Sequence, residues 1–433
     1  MSLFRRWLAW WRRRNVARRE AGVDVAMPVL PSVAVPGDLA ESVAVPVDVA
    51  DPECIRDPSA KAGVAHDAPT TRRRMPGAAG SAPGPCAIRL ALQGGGSHGA
   101  FTWGVLDRLL AQPGLRVDAV SGASAGALNG AVLATGWARG GASGARDALA
   151  AFWSDVARAA APFALLSREP FAPAAFGFDA LPGHDWNGHL LRMFSPYDYN
   201  PLNLNPLRDL VERHVDVAAL REGPVALHVT ATAVRSGRAR VFAGDALGID
   251  ALLASACLPF LFQAVEIDGE PYWDGGYSGN PSLYPLIDPG LDSDLLVVRI
   301  NPAQRLRTPR RSSDILDRIN EITFNASLLG ELRAIALVTR MLDDGVLVAG
   351  HFRGLRLHMI ADDLDLATLP ASSRVWADAA FVTRLQGMGH AAAARFLAAH
   401  GGDLGVRSSL DIAAELDVEV PAGDRAGLTL PAS

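Results

Sequence analysis

The sequence predicts an α/β protein, a three-layer α/β/α sandwich in which helices cover both faces of a parallel-rich central sheet. Three observations lead there. Apolar runs of strand length, at 87–92, 117–120, 225–234 and 295–300, alternate with longer stretches at helical spacing. The first run opens into the glycine-rich loop Gln93-Gly94-Gly95-Gly96-Ser97-His98-Gly99, and helical spacing resumes from Ala100 to Leu110. The second run ends in Gly122-Ala123-Ser124-Ala125-Gly126 ahead of a long Ala-rich stretch, the pattern of strand, abrupt turn and helix.

Composition sets the frame for these elements. A chain of 433 residues holds one large domain or two of ordinary size, and 49% hydrophobic with 20% charged residues describes a globular protein with a sizeable core. A formal net charge of −5 argues against nucleic acid as a partner. Cys54, Cys86 and Cys257 have neither metal-ligand nor CxxC spacing, so they imply no disulfide framework and no zinc site. No apolar run is long enough to cross a membrane, no repeat is visible, and no cofactor or metal is expected.

The first twenty residues hold seven arginines and one acid, 7 − 1 = +6. Phe4, Trp7, Leu8 and Trp11 recur at the spacing of one helical face, with Arg5, Arg6, Arg12 and Arg13 mostly elsewhere on the wheel. Two readings stand: a helix lying on an anionic membrane surface, or a basic tail. No small-residue cleavage site follows, so no signal peptide is read, and the expected location is the cytoplasm, peripheral to a membrane or lipid granule. Up to Cys86 the chain is rich in Pro, Ala, Val and Gly, and residues 1–86 read as basic segment plus linker. Residues 87–400 read as the folded domain and 401–433 as a frayed tail.

Within the domain, a strand that feeds a glycine loop and a helix presents backbone N–H groups at the positive end of a helix dipole, a place for an anion. That anion is either a bound phosphate or the oxyanion of acyl transfer. Gly94-x-Gly96-x-x-Gly99 also matches the dinucleotide fingerprint. A nucleotide site wants an acid closing the second strand, however, where this chain has Ser121-Gly122, and Asp118 instead opens that strand. The elbow helix runs from Ala125 to about Ala138, and after a Gly-rich break a second helix covers Ala145 to Ala160. Residues 161–206, with Phe171, Phe176, Phe178 and Trp186, read either as an apolar cap over a pocket or as a surface loop. Pro206 to His214 is helical, and strands at 225–234 and 240–242 flank Ser236-Gly237. A short helix spans Ile249 to Cys257. Asp268-Gly269 joins two strand-like runs as a hairpin whose second arm delivers Asp274-Gly275-Gly276. A strand at 295–300, a long helix from Ser312 to Met341 bent near Asn325, a strand at 355–360 and a helix from Arg374 to His400 close the domain.

Taken in order, Gly94-Gly95-Gly96-Ser97-His98-Gly99, Gly122-Ala123-Ser124-Ala125-Gly126 and Asp274-Gly275-Gly276 resemble the patatin-like phospholipase family, over roughly Ile88 to His358. Ala254-Ser255, Pro259, Phe262 and the hairpin before Asp274 resemble what that family carries upstream of its aspartate. The resemblance implies a patatin-like fold and a serine lipid acyl hydrolase. Ser124 would be the nucleophile, at an elbow flanked by Gly122 and Gly126, and Asp274 the base of a dyad without histidine. Gly94, Gly95, Gly96, Ser97, His98 and Gly99 would form the oxyanion hole, and the substrate would be an acyl lipid at a membrane or lipid surface. The family usually has Arg or Lys where this chain has His98, which leaves open how the loop is braced and how an anionic head group is held. Two alternatives remain. One is a Ser-His-Asp triad using His351, His358, His390 or His400, of which His358 reads better as a satisfied strand residue. The other is a catalytically weak lipid- or granule-binding protein on the same fold.

Overall fold

In the computed structural model the described residues are 86–166, 195–287, 294–305, 308–310, 312–344, 346, 355–369, 373–374 and 377–416. They belong to one compact unit, Ala82–Ser433. The basic aromatic segment, the linker, His351 and most of the aromatic stretch 161–206 lie outside the described residues.

The strands are β1 (Cys86–Leu92), β2 (Leu115–Ala123), β3 (Ala226–Ala233), β4 (Ala239–Phe242), β5 (Val265–Ile267), β6 (Glu270–Asp274), β7 (Asp294–Val298) and β8 (Arg356–Ile360). The helices are α1 (Gly99–Leu110), α2 (Ala125–Leu166), α3 (Pro196–Tyr199), α4 (Pro206–His214), α5 (Val217–Glu222), α6 (Ile249–Ser255), α7 (Ser312–Asp343), α8 (Asp363–Leu366), α9 (Ala379–His400) and α10 (Ile412–Leu416). All eight strands join one sheet in the order β5-β6-β3-β2-β1-β7-β8, with β4 also on β3. The run β3-β2-β1-β7-β8 is parallel, and β4, β5 and β6 form the antiparallel end.

Alternation along the strands explains the layers. Ile88, Leu90 and Leu92 of β1, with Leu296 and Val298 of β7, join Phe101, Val105 and Leu106 of α1 and Leu385 and Phe396 of α9 in one core. Ala91, Leu295 and Val297 point the other way, toward Leu328 and Leu332 of α7. A strand buried on both faces reads as a continuous apolar run, which is why β1 and β7 lack a polar period. The predicted sandwich is the observed one.

The register positions the site. Leu92 pairs with Gly122, so the glycine loop after β1 and the turn after β2 leave the sheet side by side. Ala123 pairs with Thr230, and Ala231 pairs with Asp274. Three distant segments therefore meet outside the carboxyl ends of β1 and β2, the usual place for a site in an open α/β sheet.

The Gly-rich break expected between the elbow helix and its successor is present inside α2, where the backbone leaves helical geometry at Gly140 (φ −160°, ψ 27°) and Gly141 (φ 61°, ψ −146°). Three expectations are corrected. α7 continues through Asn325, because that side chain is held by β7's extension rather than by its own helix: its Nδ2 donates to the carbonyls of Asn301 and Pro302. The same helix, against the expectation that no run is long enough, could cross a membrane by length and composition alone, an 18-residue window within Asp314–Leu342 having a mean hydropathy of 1.2. Its inner face carries Phe324, Asn325, Leu328 and Leu332, all buried, while Ile315, Ile319, Ile322 and Leu337 point outward. Finally, the chain does not fray at 401. The amides of Ser409 and Leu410 donate to the Leu357 carbonyl, Gly405 N–H donates to Asp294, and Glu415 of α10 pairs with Arg299.

Candidate active site

Ser124 stands between β2 and α2 with φ 51°, a left-handed backbone uncommon for any residue with a Cβ. The turn is held by tight packing. A Cβ on Gly126 would lie 2.1 Å from the Leu92 carbonyl oxygen, so only glycine lets α2 start against the end of β1. Ser255, at the end of α6, braces the turn from the other side. Its hydroxyl accepts the Ser124 N–H at 2.9 Å and donates to the Thr230 carbonyl at 2.6 Å. The Ser124 amide is thereby occupied, and the residue is 6% exposed.

Asp274 ends β6 and is fully buried. Its amide donates to the Cys257 carbonyl, its carbonyl accepts from the Thr232 hydroxyl, and its Oδ1 accepts the Gly276 N–H at 2.7 Å. Burial pushes the carboxyl up to about 6, against the opposing pull of the Ser124 hydroxyl and the Gly276 amide. The Ser124 hydroxyl thus approaches closely enough to favour the carboxylate, while Oδ2 has no partner at full hydrogen-bond geometry. Catalytic hydrogen bonds often stay long until substrate is bound. Cys257, close by, is no competing nucleophile: burial and the Asp274 charge push its thiol up to about 12.

The glycine loop approaches from β1. A Cβ on Gly94 would stand 2.7 Å from the Ser124 Cβ, which shows how closely loop and serine pack. A buried polar hub holds the loop's base. Gln93 Oε1 accepts from the amides of Ile300 and Asn301, and its Nε2 donates to Asn325 Oδ1. The Gly94 N–H donates to Asn280 Oδ1 at 2.6 Å, and Asn301 Nδ2 donates to the Gly94 carbonyl at 2.9 Å.

These bonds trim the expected oxyanion set. Gly94 N–H is taken by Asn280, His98 N–H by the Gly95 carbonyl, and Gly99 N–H by Gly96 and Ser97 carbonyls. Among the described residues the amides of Gly95, Gly96 and Ser97 have no protein acceptor. Gly94, His98 and Gly99 shape the loop rather than donate from it. His98 is buried, and its Nε2 meets the Ser373 hydroxyl at 2.8 Å. Burial, then the nearby Arg374 and Arg305 charges, pushes its imidazole down to about 3, so it is neutral.

None of the described histidines takes the base's place. His358 is buried on β8 between Asp294 and Ser409. His390 is exposed on α9, and His400 pairs with Asp403. Asp118, the acid considered for a nucleotide, pairs with Arg116 near the start of β2.

Residues 90–287 match the family model for Patatin-like phospholipase. They form a patatin-like phospholipase domain. Members of this family are phospholipases and esterases, and the domain makes the chain an ester hydrolase of that kind. No curated protein matches the chain. Among solved structures, VipD from Legionella pneumophila is similar at 14% identity and a TM-score of 0.31, covering 72% of this chain and 67% of that one, too loose to bear on function. The patatin-like match contains Ser124, the glycine loop and Asp274, yet several residues bracing them lie beyond it: Asn301, Asn325 and Ser373. Together with Gln93, Ser255 and Asn280 these are what motif reading misses. Gln93 reads only as the start of the glycine loop, Asn325 only as a bend, and Ser255 only by its place upstream of Asp274; Asn280, Asn301 and Ser373 carry no signal.

Proposed function

We propose that the chain hydrolyses acyl esters of lipids through an acyl-enzyme, with Ser124 as nucleophile and Asp274 as the only side-chain base. The observation that carries this reading is Asp274 itself: a fully buried carboxyl facing the serine, with its ionisation pushed up to about 6. An unperturbed carboxylate, at ~3.9, is a weak base toward a hydroxyl, and desolvation corrects this in the useful direction. Asp274 takes the Ser124 proton as Oγ adds to the ester carbonyl. The resulting oxyanion is received by the Gly95 and Gly96 amides in the loop ahead of α1. Asp274 then gives the proton to the departing alcohol. Water, deprotonated by the same carboxylate, releases the fatty acid and restores the serine. Because the base must be ionised, kcat/KM for an uncharged ester rises with pH through about 6 to a plateau.

The substrate lies at a membrane or lipid surface, and the basic segment carrying Phe4, Trp7, Leu8 and Trp11 is proposed as a cytoplasmic, peripheral tether. The test of the chemistry is fluorophosphonate labelling with p-nitrophenyl ester turnover. Wild type labels; Ser124→Ala and Asp274→Asn do not turn over; His390→Ala does. A dead His390→Ala beside an active Asp274→Asn reverses the assignment. Sedimentation of the full chain with anionic vesicles tests the tether, which predicts loss of binding when Arg5, Arg6, Arg12 and Arg13 become Gln.

A further inference from the structure

The residues that match the family model end at 287, yet the side chains that hold the end of that stretch come from α7, further along the chain. Phe324, Ser327 and Glu331 recur at i, i+3 and i+7, on one helical face. Phe324 lies against Gly276, where an added Cβ would stand 2.4 Å from its ring, and its ring centroid is 5.4 Å from that of Tyr277. The Ser327 hydroxyl accepts the Asn280 N–H at 2.9 Å. Glu331 Oε2 accepts two successive amides, Leu283 N–H at 2.7 Å and Tyr284 N–H at 2.9 Å. One helix thus grips the segment 274–284 near its start, at its middle and at its end.

Of the three contacts, that of Glu331 has the strongest acceptor, a carboxyl oxygen shared by two amides. Those amides open the turn Tyr284–Leu286, which has no side-chain cap of its own. Glu331 is half-buried and its carboxyl is desolvated: burial pushes it up to about 7, against the opposing pull of the two amides. The Ser121 hydroxyl and the Arg89 guanidinium donate to the carbonyls of Ser282 and Leu286 and tie the segment to the sheet, while Glu331 holds it from the helix. Between Asp274 and this turn stands Asn280, fully buried. Its Oδ1 accepts the Gly94 N–H at 2.6 Å, and its carbonyl accepts from Gln93 Nε2 at 3.3 Å. Gly94 directly precedes the amides proposed to receive the oxyanion, so a displacement of Asn280 is passed on to them.

We propose that Glu331 is a positioning residue for acyl transfer: it fixes the Leu283–Tyr284 turn to α7, and the turn seats Asn280 against Gly94 and thereby sets the Gly95 and Gly96 amides. The inference rests on the hydrolase reading above and extends its machinery to a helix outside the family match. Both amides go to one oxygen, so a glutamine carbonyl can replace the carboxyl. An aspartate, one methylene shorter, reaches them only by drawing the turn toward the helix.

The experiment compares p-nitrophenyl octanoate with its thiono analogue, in which sulfur replaces the carbonyl oxygen and accepts hydrogen bonds weakly. The full chain is used as wild type, Glu331→Ala, Glu331→Asp, Glu331→Gln, Asn280→Ala and Asn280→Ala/Glu331→Ala. The ratio of kcat on the oxygen ester to kcat on the sulfur ester reads hydrogen bonding to the oxyanion. It falls about tenfold in Glu331→Ala with little change in KM, falls less in Glu331→Asp, and stays within about threefold of wild type in Glu331→Gln. Asn280→Ala lowers it comparably, and adding Glu331→Ala lowers it little further, because the two act through one path. Glu331→Asp keeps the test available if Glu331→Ala does not fold. A ratio unchanged in Glu331→Ala or, failing that, in Glu331→Asp overturns the proposal even where both esters slow, since lost packing slows them alike. So does a double variant whose losses simply add, or a Glu331→Gln no better than Glu331→Ala. A wild type inactive on both esters sinks the hydrolase reading and this inference with it; an active wild type matched by Glu331→Ala sinks this inference alone.

Discussion

Asp274 and Asp294 are both buried carboxylates at a strand terminus of the same sheet, and their surroundings send them in opposite directions. Asp294 opens β7 opposite Arg356 of β8, with His358 two residues further along the same face. Burial pushes its carboxyl up, but His358 Nε2 at 2.8 Å, the Gly405 amide at 2.9 Å and Arg356 at 3.2 Å outweigh that and hold it below the usual carboxylate range. Asp274 has one amide, one loosely approaching hydroxyl and an oxygen with no closed bond, so burial prevails. A buried acid with a full set of donors is a clamp, here tying the C-terminal residues to the sheet edge. One left short of donors keeps its proton to higher pH, which suits the proposed base. Histidine, serine and aspartate also line up at Ser409-His358-Asp294, but there the hydroxyl lies on a connecting loop, not at a strand-to-helix turn, and the group fixes the 401–416 segment.

The contrast breaks most visibly by neutralising each acid in turn. Asp274→Asn lowers turnover on the order of 10⁴-fold while keeping the fold, measured as kcat beside circular dichroism. Asp294→Ala does the reverse in kind: it leaves buried His358 and half-buried Arg356 without their anion and lowers unfolding free energy by about 3 kcal/mol in urea titration.

The pH dependence of stability sharpens the same point. The Asp274 carboxyl holds its proton more tightly folded than unfolded. Stability contributed by this group is therefore complete below the unfolded value of 3.8 and lost as pH rises through about 6, by roughly 3 kcal/mol. Asp294 works with the opposite sign: its contribution is present above pH 3.8 and falls away as pH drops through its depressed folded value. Melting temperature against pH in Asp274→Asn loses the first slope, and that variant is more stable than wild type at neutral pH. An unaltered slope rejects the buried, under-solvated carboxyl.

Smaller effects test the bracing. Ser255→Ala removes bonds to Ser124 N–H and the Thr230 carbonyl and lowers kcat about tenfold with little change in KM. Ser373→Ala releases His98 and costs about 1 kcal/mol of stability, with a severalfold loss of turnover.

Much of the fold is legible in the chain. Alternating strand and helix patterns predict the sandwich, Asp268-Gly269 places the hairpin, and Gly140-Gly141 marks the break within α2. Motif reading also points to Ser124 and Asp274, and the structure brings the two together. The bend expected at Asn325 and the fraying expected after His400 go the other way for a common reason. Asn325 looks like a helix weakener until Asn301 and Pro302 supply its partners, and the 401–416 segment lacks periodicity because strand-edge carbonyls and Asp294 hold it instead. Likewise, six loop residues look equally able to donate to an oxyanion until Asn280 takes the Gly94 amide.

The sequence by itself determined the local chemistry: which turns need glycine, which strands are buried on both faces, and which hydroxyl and carboxyl types are present. Those follow from φ/ψ sterics and hydrophobic period, which act over a few residues. Only the tertiary structure decided which acid is starved of donors and which is clamped, and which amides stay free. Desolvation and hydrogen-bond competition depend on neighbours that lie up to hundreds of residues apart, as Gln93 and Asn325 do across 232 positions, and no local pattern encodes them.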